Sequence, residues 1–223
     1  MATRMQVFED RQDAGRRLAT ALSTHPEVEG AERIVVLGVP RGGLPVGAEV
    51  ARALRAPFDV VVVRKLRSPH NQELGFGAIG ADGHVEVNDD LVARLGLSTA
   101  EIEQEIADRR DAVGRRVALY REAAAPADLE GAVAIVVDDG IATGGTARLA
   151  CAYARRNGAR RVLLAAPVGP AGVTERMADA ADAVLVLSTP AEFLSVGQAY
   201  ADFAQLSDTD AVTALRVAAG PAA

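Results

Sequence analysis

Four short apolar runs dominate the chain: RIVVLGV (33–39), FDVVVVR (58–64), VAIVVD (133–138) and RVLLAAPV (161–168), with a weaker fifth, AVLVLS, at 183–188. None alternates polar with apolar residues. A strand with one wet face would alternate, so these runs read as strands covered on both faces. Helix-like stretches at 44–55, 146–157 and 172–180 lie among them. Strand, helix and strand in repetition predict an α/β fold with a parallel sheet and right-handed crossovers. The chain has 223 residues and no Trp, enough for one core that must be built from Val, Leu, Ile and Ala. No internal repeat, low-complexity tract or linker divides it, so a single domain over 1–223 is expected.

The formal charge of −6 argues against a surface that attracts nucleic acid or an anionic membrane. No run approaches the ~18 apolar residues needed to span a bilayer. The charged N-terminus, MATRMQVFEDRQDAGRR, lacks a signal-peptide apolar core, and a cytoplasmic location is expected. The single cysteine, Cys151, allows neither an intramolecular disulfide nor a cysteine-cluster metal site, and reads as a small buried thiol. His25, His70 and His84 are scattered, with no metal-ligand spacing. The last six residues, AAGPAA, read as a frayed tail.

The stretch 65–130 departs from the strand–helix rhythm. Residues 65–88 are glycine-rich and mixed polar, which predicts a loop or loose hairpin of functional length. Residues 98–124 predict one long helix. STAE opens it with a capping box, Ser98 as cap and Glu101 reaching back. Ile102, Ile106, Val113, Val117 and Tyr120 form its apolar stripe. Its many arginines, Arg109, Arg110, Arg115, Arg116 and Arg121, read as a solvated face with intrahelical acidic partners.

The segment VVDDGIATGGTARLA (136–150) carries the chemistry. Asp138 and Asp139 end the most continuously apolar run, and ligands of open α/β sheets bind beyond the carboxyl ends of strands. In a regular strand the two side chains would point to opposite faces, but a turn at the strand end would let both approach one ligand. Carboxylates there can accept hydrogen bonds from hydroxyls, or hold a hydrated divalent cation directly or through water. Thr143, Gly144, Gly145 and Thr146 then supply small residues, hydroxyls and free amides at the start of a helix, a cradle for an oxyanion. A diol on the carboxylates and a phosphate on the loop together describe a sugar phosphate. The nucleotide pattern GxxxxGK[ST] is absent.

VAIVVDDGIATGGT resembles the signature of type I phosphoribosyltransferases, which bind 5-phosphoribosyl-1-pyrophosphate (PRPP). The resemblance implies a Rossmann-like parallel core, a mobile lid at 65–88, a helical insertion at 89–125 and a small hood at 189–206. It implies that Asp138 and Asp139 bind the ribose hydroxyls and a Mg²⁺ ion, and that Ala142, Thr143, Gly144, Gly145 and Thr146 bind the 5-phosphate. The loop GVPRGGLPVG (38–47), read alone, is a turn before a helix; by resemblance it holds the pyrophosphate through Arg41, Gly42 and Gly43, often beside a cis peptide. Arg64 and Lys65, which open the lid, would meet the departing pyrophosphate. The implied reaction moves the phosphoribosyl group to a nitrogen acceptor, usually a nucleobase, and releases pyrophosphate. Family members often dimerise, which suggests a homodimer.

The acceptor stays open. TPAEFLSVGQAYADF (189–203) resembles the hood of hypoxanthine–guanine enzymes, with Phe193 stacking on the base and Asp202 near it, although it has one more residue between Phe193 and Gly197. Ala142, in contrast, stands where those enzymes carry an aspartate, and IATGG is closer to the loop of uracil enzymes. FEDRQDAGRRLA and PRGGLPVGAEVA, with the hood, resemble a bacterial subgroup of the family and name no substrate. A PRPP-sensing regulator that has lost transfer chemistry is the alternative; the acidic charge and the full-length lid with Arg64 and Lys65 favour the enzyme. A sugar-phosphate phosphatase or kinase would need a phosphorylatable nucleophile or a nucleotide loop, and neither is evident.

Overall fold

The computed structural model describes residues 8–219. Helices α1 (Arg11–Ser23) and α2 (Pro26–Glu29) lead into strand β1 (Ile34–Gly38), helix α3 (Gly43–Leu54) and strand β2 (Phe58–Val60). Strands β3 (Val63–Ser68), β4 (Asn71–Gly80) and β5 (Val85–Val87) follow, then helices α4 (Asp89–Leu95) and α5 (Thr99–Arg121). The chain returns through β6 (Val133–Val137), α6 (Gly145–Arg156), β7 (Arg161–Val168), α7 (Val173–Met177), β8 (Ala183–Ser188), a 3₁₀ turn (Val196–Ala199) and α8 (Asp208–Ala219).

Five strands form one sheet in the order β2-β1-β6-β7-β8, all neighbours parallel. This is the α/β parallel core expected from the non-alternating runs. Successive residues serve opposite faces. Ile135 and Val137 pack with Leu18, Leu44 and Val50 on one side, and Ala134 and Val136 pack with Ala147, Ala150 and Cys151 on the other. Burial on both faces is why each run is apolar throughout. β6 is central, and Gly38 of β1 lies level with Val137 of β6. The loops that leave these two strand ends therefore emerge side by side.

Three expectations need correction. The run 58–64 is not one strand. β2 ends at Val60, and β3 starts at Val63 in a second, antiparallel sheet of order β3-β4-β5. That sheet occupies 63–87, where a loop or loose hairpin was expected. Glycines hid it: a Cβ at Gly77 would lie 2.2 Å from the Glu86 carbonyl oxygen, so close strand approach accounts for a residue that reads as loop. The helical stretch does begin at its capping box, with the Glu101 amide donating to Ser98 Oγ and the Ser98 amide to Glu101 Oε2. Its arginines, however, are not only a solvated face. Arg109 pairs within the helix with Glu105 at 2.7 Å, but Arg116 reaches Asp208 and Arg121 reaches Asp59.

Helices α1 and α8 were not foreseen. Asp10 caps α1, accepting from the Asp13 amide at 2.7 Å, and α8 covers β2 and α3. Residues 218–219 of the expected frayed tail belong to α8, and 220–223 lie outside the described residues, as does the start of the N-terminal segment.

Asp59 is 4% exposed and sits beneath the helical insertion. Both its oxygens accept from Arg121, at 2.6 and 3.1 Å, and the amides of Val60 and Ala127 also donate to it. Replacing Arg121 with Met leaves that carboxylate buried with backbone donors alone. The expected loss is about 3 kcal/mol, a fall in melting temperature of roughly 6–12 °C for a chain of this size, as read by thermal unfolding followed by circular dichroism.

Candidate functional site

The carboxyl end of β6 delivers Asp138 and Asp139, and the structure sends them apart. Asp138 faces a cavity of ≈ 140 Å³ whose other walls are residues 140–147. Asp139 turns toward the loop after β1, where a Cβ at Gly42 would stand 1.9 Å from its Oδ2. Only a glycine fits there. Both residues follow the end of β6 at Val137: Asp138 lines the cavity, while Asp139 accepts from Arg11 and stands against Gly42 of the neighbouring loop.

Arg11, at the start of α1, does the holding. It is 9% exposed, and its Nε donates to Asp139 Oδ2 at 2.9 Å. One terminal nitrogen donates to the Ala204 carbonyl at 2.9 Å, and the guanidinium lies 3.9 Å from the Phe203 ring centroid. The Tyr200 hydroxyl donates to the Asp139 carbonyl at 2.5 Å. Burial pushes the Asp138 carboxyl well above the ordinary carboxylate range, and the adjacent Asp139 adds to the rise. Burial also raises Asp139, and the hydrogen bond and charge of Arg11 oppose it. Burial, with Asp139 nearby, raises the Tyr200 hydroxyl, which stays a donor.

The cradle is formed as its sequence suggests. Gly144 adopts φ +81°, the left-handed conformation that favours glycine, and caps α6. The first amides of α6 have no intrahelical acceptor and open toward the cavity. Ala142, Thr143 and Thr146 are exposed on its rim. Lys65 comes to this cradle: a Cβ at Gly145 would be 2.5 Å from its Nζ. The loop at 39–43 stands alongside, with a cis peptide between Pro40 and Arg41, and Gly43 packed against the Val137 carbonyl and Asp138.

Arg64 does not accompany Lys65. Neighbours on a strand point to opposite faces, so Arg64 enters a groove with Ala112, Arg115, Arg116 and Asp208. The expectation that both cations meet the pyrophosphate together is therefore corrected. Arg41 extends toward the same groove, 3.9 Å from Asp208 Oδ1. Phe193 is half-buried and packs on the hood cluster of Phe8, Val168, Ala199 and Tyr200. Asp202 accepts from the Ala204 amide at 3.1 Å as a turn residue. The hood touches the cradle at Gly140, where a Cβ would be 2.5 Å from Val196 Cγ1. Cys151 is buried as expected, its thiol pushed up by burial to about 12.

Among the described residues no group of three or more His, Cys, Asp and Glu side chains forms a metal cage. No helix among them is long and apolar enough to cross a membrane. Sequence reasoning missed Arg11, Tyr200 and Phe203. Arg11 lies 128 residues from its partner; it falls within FEDRQDAGRRLA, which marks a subgroup but names no role for the arginine.

A strand-end carboxylate, a glycine cradle at a helix start and a second loop beside it come together at one end of a parallel α/β sheet. The sequence model of the phosphoribosyl transferase domain matches residues 7–200, and the chain belongs to that family. Two Mycobacterium tuberculosis proteins, from strains CDC 1551 and H37Rv, both provisionally named phosphoribosyl transferases, are each 47% identical over 211 residues, 95% of this chain. The chain spans about half (47%) of the length of these relatives. The crystal structure of TT1426 from Thermus thermophilus is 38% identical, with a TM-score of 0.84, covering 96% of this chain and 100% of that one.

Arg11→Ala strips Asp139 of its countercharge and is expected to cost roughly 2–4 kcal/mol at pH 7. Asp139 then has a folded pKa still further above its unfolded value. The folded state binds the extra proton as pH falls, so the deficit shrinks from pH 7 toward about pH 5. Urea unfolding at both pH values reads this, and a deficit that does not change with pH contradicts it.

Proposed function

We infer that the protein transfers the 5-phosphoribosyl group of PRPP to a nitrogen acceptor, a nucleobase in the simplest case, and releases pyrophosphate. The observation that carries this reading is Asp138 and the cradle 142–146 sharing one cavity, with Lys65 against Gly145. Asp138 accepts hydrogen bonds from the ribose hydroxyls. The amides of Thr143 to Thr146 and the Thr hydroxyls hold the 5-phosphate, and the Lys65 ammonium adds charge there. Arg41, Gly42 and Gly43 border the pyrophosphate. As the C1–O bond to pyrophosphate breaks, that electron pair leaves with the pyrophosphate. The acceptor nitrogen forms the new bond to C1 from the opposite face, with inversion, and any proton it carries passes to water or the departing pyrophosphate. The protein's share is positioning and charge stabilisation, with no covalent intermediate. The β3–β5 sheet serves as the cover that keeps water from C1, and the hood with Phe193 receives the acceptor.

The site suits Mg²⁺. A carboxylate whose neighbour is also a carboxylate favours a cation, and Mg²⁺ is commonly held by one or two carboxylates, waters and substrate phosphates rather than by a full protein cage. Asp138, directly or through water, is the side chain that would hold it, with Asp139 behind. Such an ion supplies charge neutralisation for the leaving pyrophosphate.

Two results test the reading. With PRPP, Mg²⁺ and a panel of nucleobases, at least one base should give pyrophosphate release; PRPP binding without release by any base would favour a sensor. Asp138→Asn is expected to weaken PRPP binding about 100-fold while stabilising the fold by roughly 1–2 kcal/mol, since a buried charge is removed. Calorimetric titration and thermal unfolding read the two effects, and unchanged PRPP affinity removes Asp138 from the ribose.

A further inference from the structure

The groove on the far side of β3 from the phosphate cradle has a volume of ≈ 540 Å³. Arg64 enters it from β3, and Arg115 and Arg116 enter it from α5. Arg41 stands at its rim through Asp208. Asp208 is its one lining carboxylate and is already engaged, 2.9 Å from Arg116 and 3.9 Å from Arg41. Among the described residues neither Arg64 nor Arg115 has a carboxylate within ion-pair distance. Arg64 is half-buried, and its only hydrogen bond there is to the Val63 carbonyl at 3.3 Å. The same helix shows what a structural arginine looks like: Arg121 meets Asp59 through two nitrogens. A solvated arginine face would leave the guanidinium in water, and Arg64 is not there. Burial, with Arg116 next in effect, lowers the pKa of Arg64, the mark of a cation short of countercharge.

The structure assigns to this groove a second anion site, for a small multiply charged phosphate anion, formed by Arg64, Arg115 and Arg116 with Arg41 at its edge. It is separate from the cradle at 142–146. Guanidiniums on three elements can grip phosphate oxygens in paired hydrogen bonds, which an ammonium cannot. Two sources share this chemistry: the pyrophosphate that leaves PRPP across the Arg41 loop, and the phosphate end of a separate molecule.

Calorimetric titration of inorganic phosphate into the full chain tests it. Arg115 is exposed, so its variants should fold like the parent, as circular dichroism will check. The expected result is two sites per chain. Arg115→Glu weakens one about tenfold or more, Arg115→Lys largely restores it, and Lys65→Gln weakens only the other. Phosphate binding that Arg115→Glu leaves unchanged overturns the assignment, as does a single site abolished by Lys65→Gln. Repeating the titration with pyrophosphate on the Lys65→Gln protein separates the sources. Affinity well above that for phosphate identifies the groove as the station of the leaving group, and equal affinity identifies it as a site for another phosphate-bearing molecule; both uphold the anion site.

Discussion

Two carboxylates side by side at the end of a strand buried on both faces repel each other and lose water. The surroundings of Asp138 and Asp139 answer that cost on one side only. Arg11 neutralises Asp139 in a nearly closed setting, with a 2.9 Å contact and a stacked Phe203 behind it. Asp138 receives the Asp139 amide at 2.9 Å and no cation. The unfavourable charge is thereby concentrated on the group that faces the cavity. A hydroxyl-bearing or cation-bearing ligand relieves it, so part of the binding energy is the removal of a native-state penalty.

Adjacent charged residues are sent apart in two places. Just past the end of β6 the turn gives Asp138 to the cavity and Asp139 to Arg11. On β3 strand alternation gives Lys65 to the cradle and Arg64 to the groove by α5. One strand thus supplies cations to two places that its own width keeps apart. The level ends of β1 and β6 add the third element, since Gly38 opposite Val137 sets the loop at 39–43 beside the loop at 138–146.

The parts of this arrangement that are local in sequence could be read from it. The apolar runs announced the doubly covered sheet, Ser98 and Glu101 announced the start of α5, and the DDGIATGGT segment announced both carboxylate and cradle. What could not be read depends on contacts between distant residues. Arg121 and Asp59 are 62 residues apart, and Arg11 and Asp139 are 128 apart; each cation looks on paper like any charged surface residue. The β3–β5 sheet was misread because Gly75, Gly77 and Gly80 break the alternation that signals a strand, and the Gly77 contact shows that the strands need that thinness. The split of Arg64 from Lys65 was implicit in strand geometry, but only once 63–68 was known to be a strand.

The start of the described chain meets residues 200–204 beside the carboxylates. Phe8 pairs with Tyr200 across an isolated bridge, Arg11 binds the Ala204 carbonyl, and Tyr200 holds the Asp139 backbone. Residues 200–204 are thus fastened to the Asp139 region, next to Asp138. A change in Arg11 alters the countercharge on Asp139, and Asp139 is the nearest negative group to Asp138. Arg11 is therefore one contact shared by the 203–204 turn and the Asp139 carboxylate.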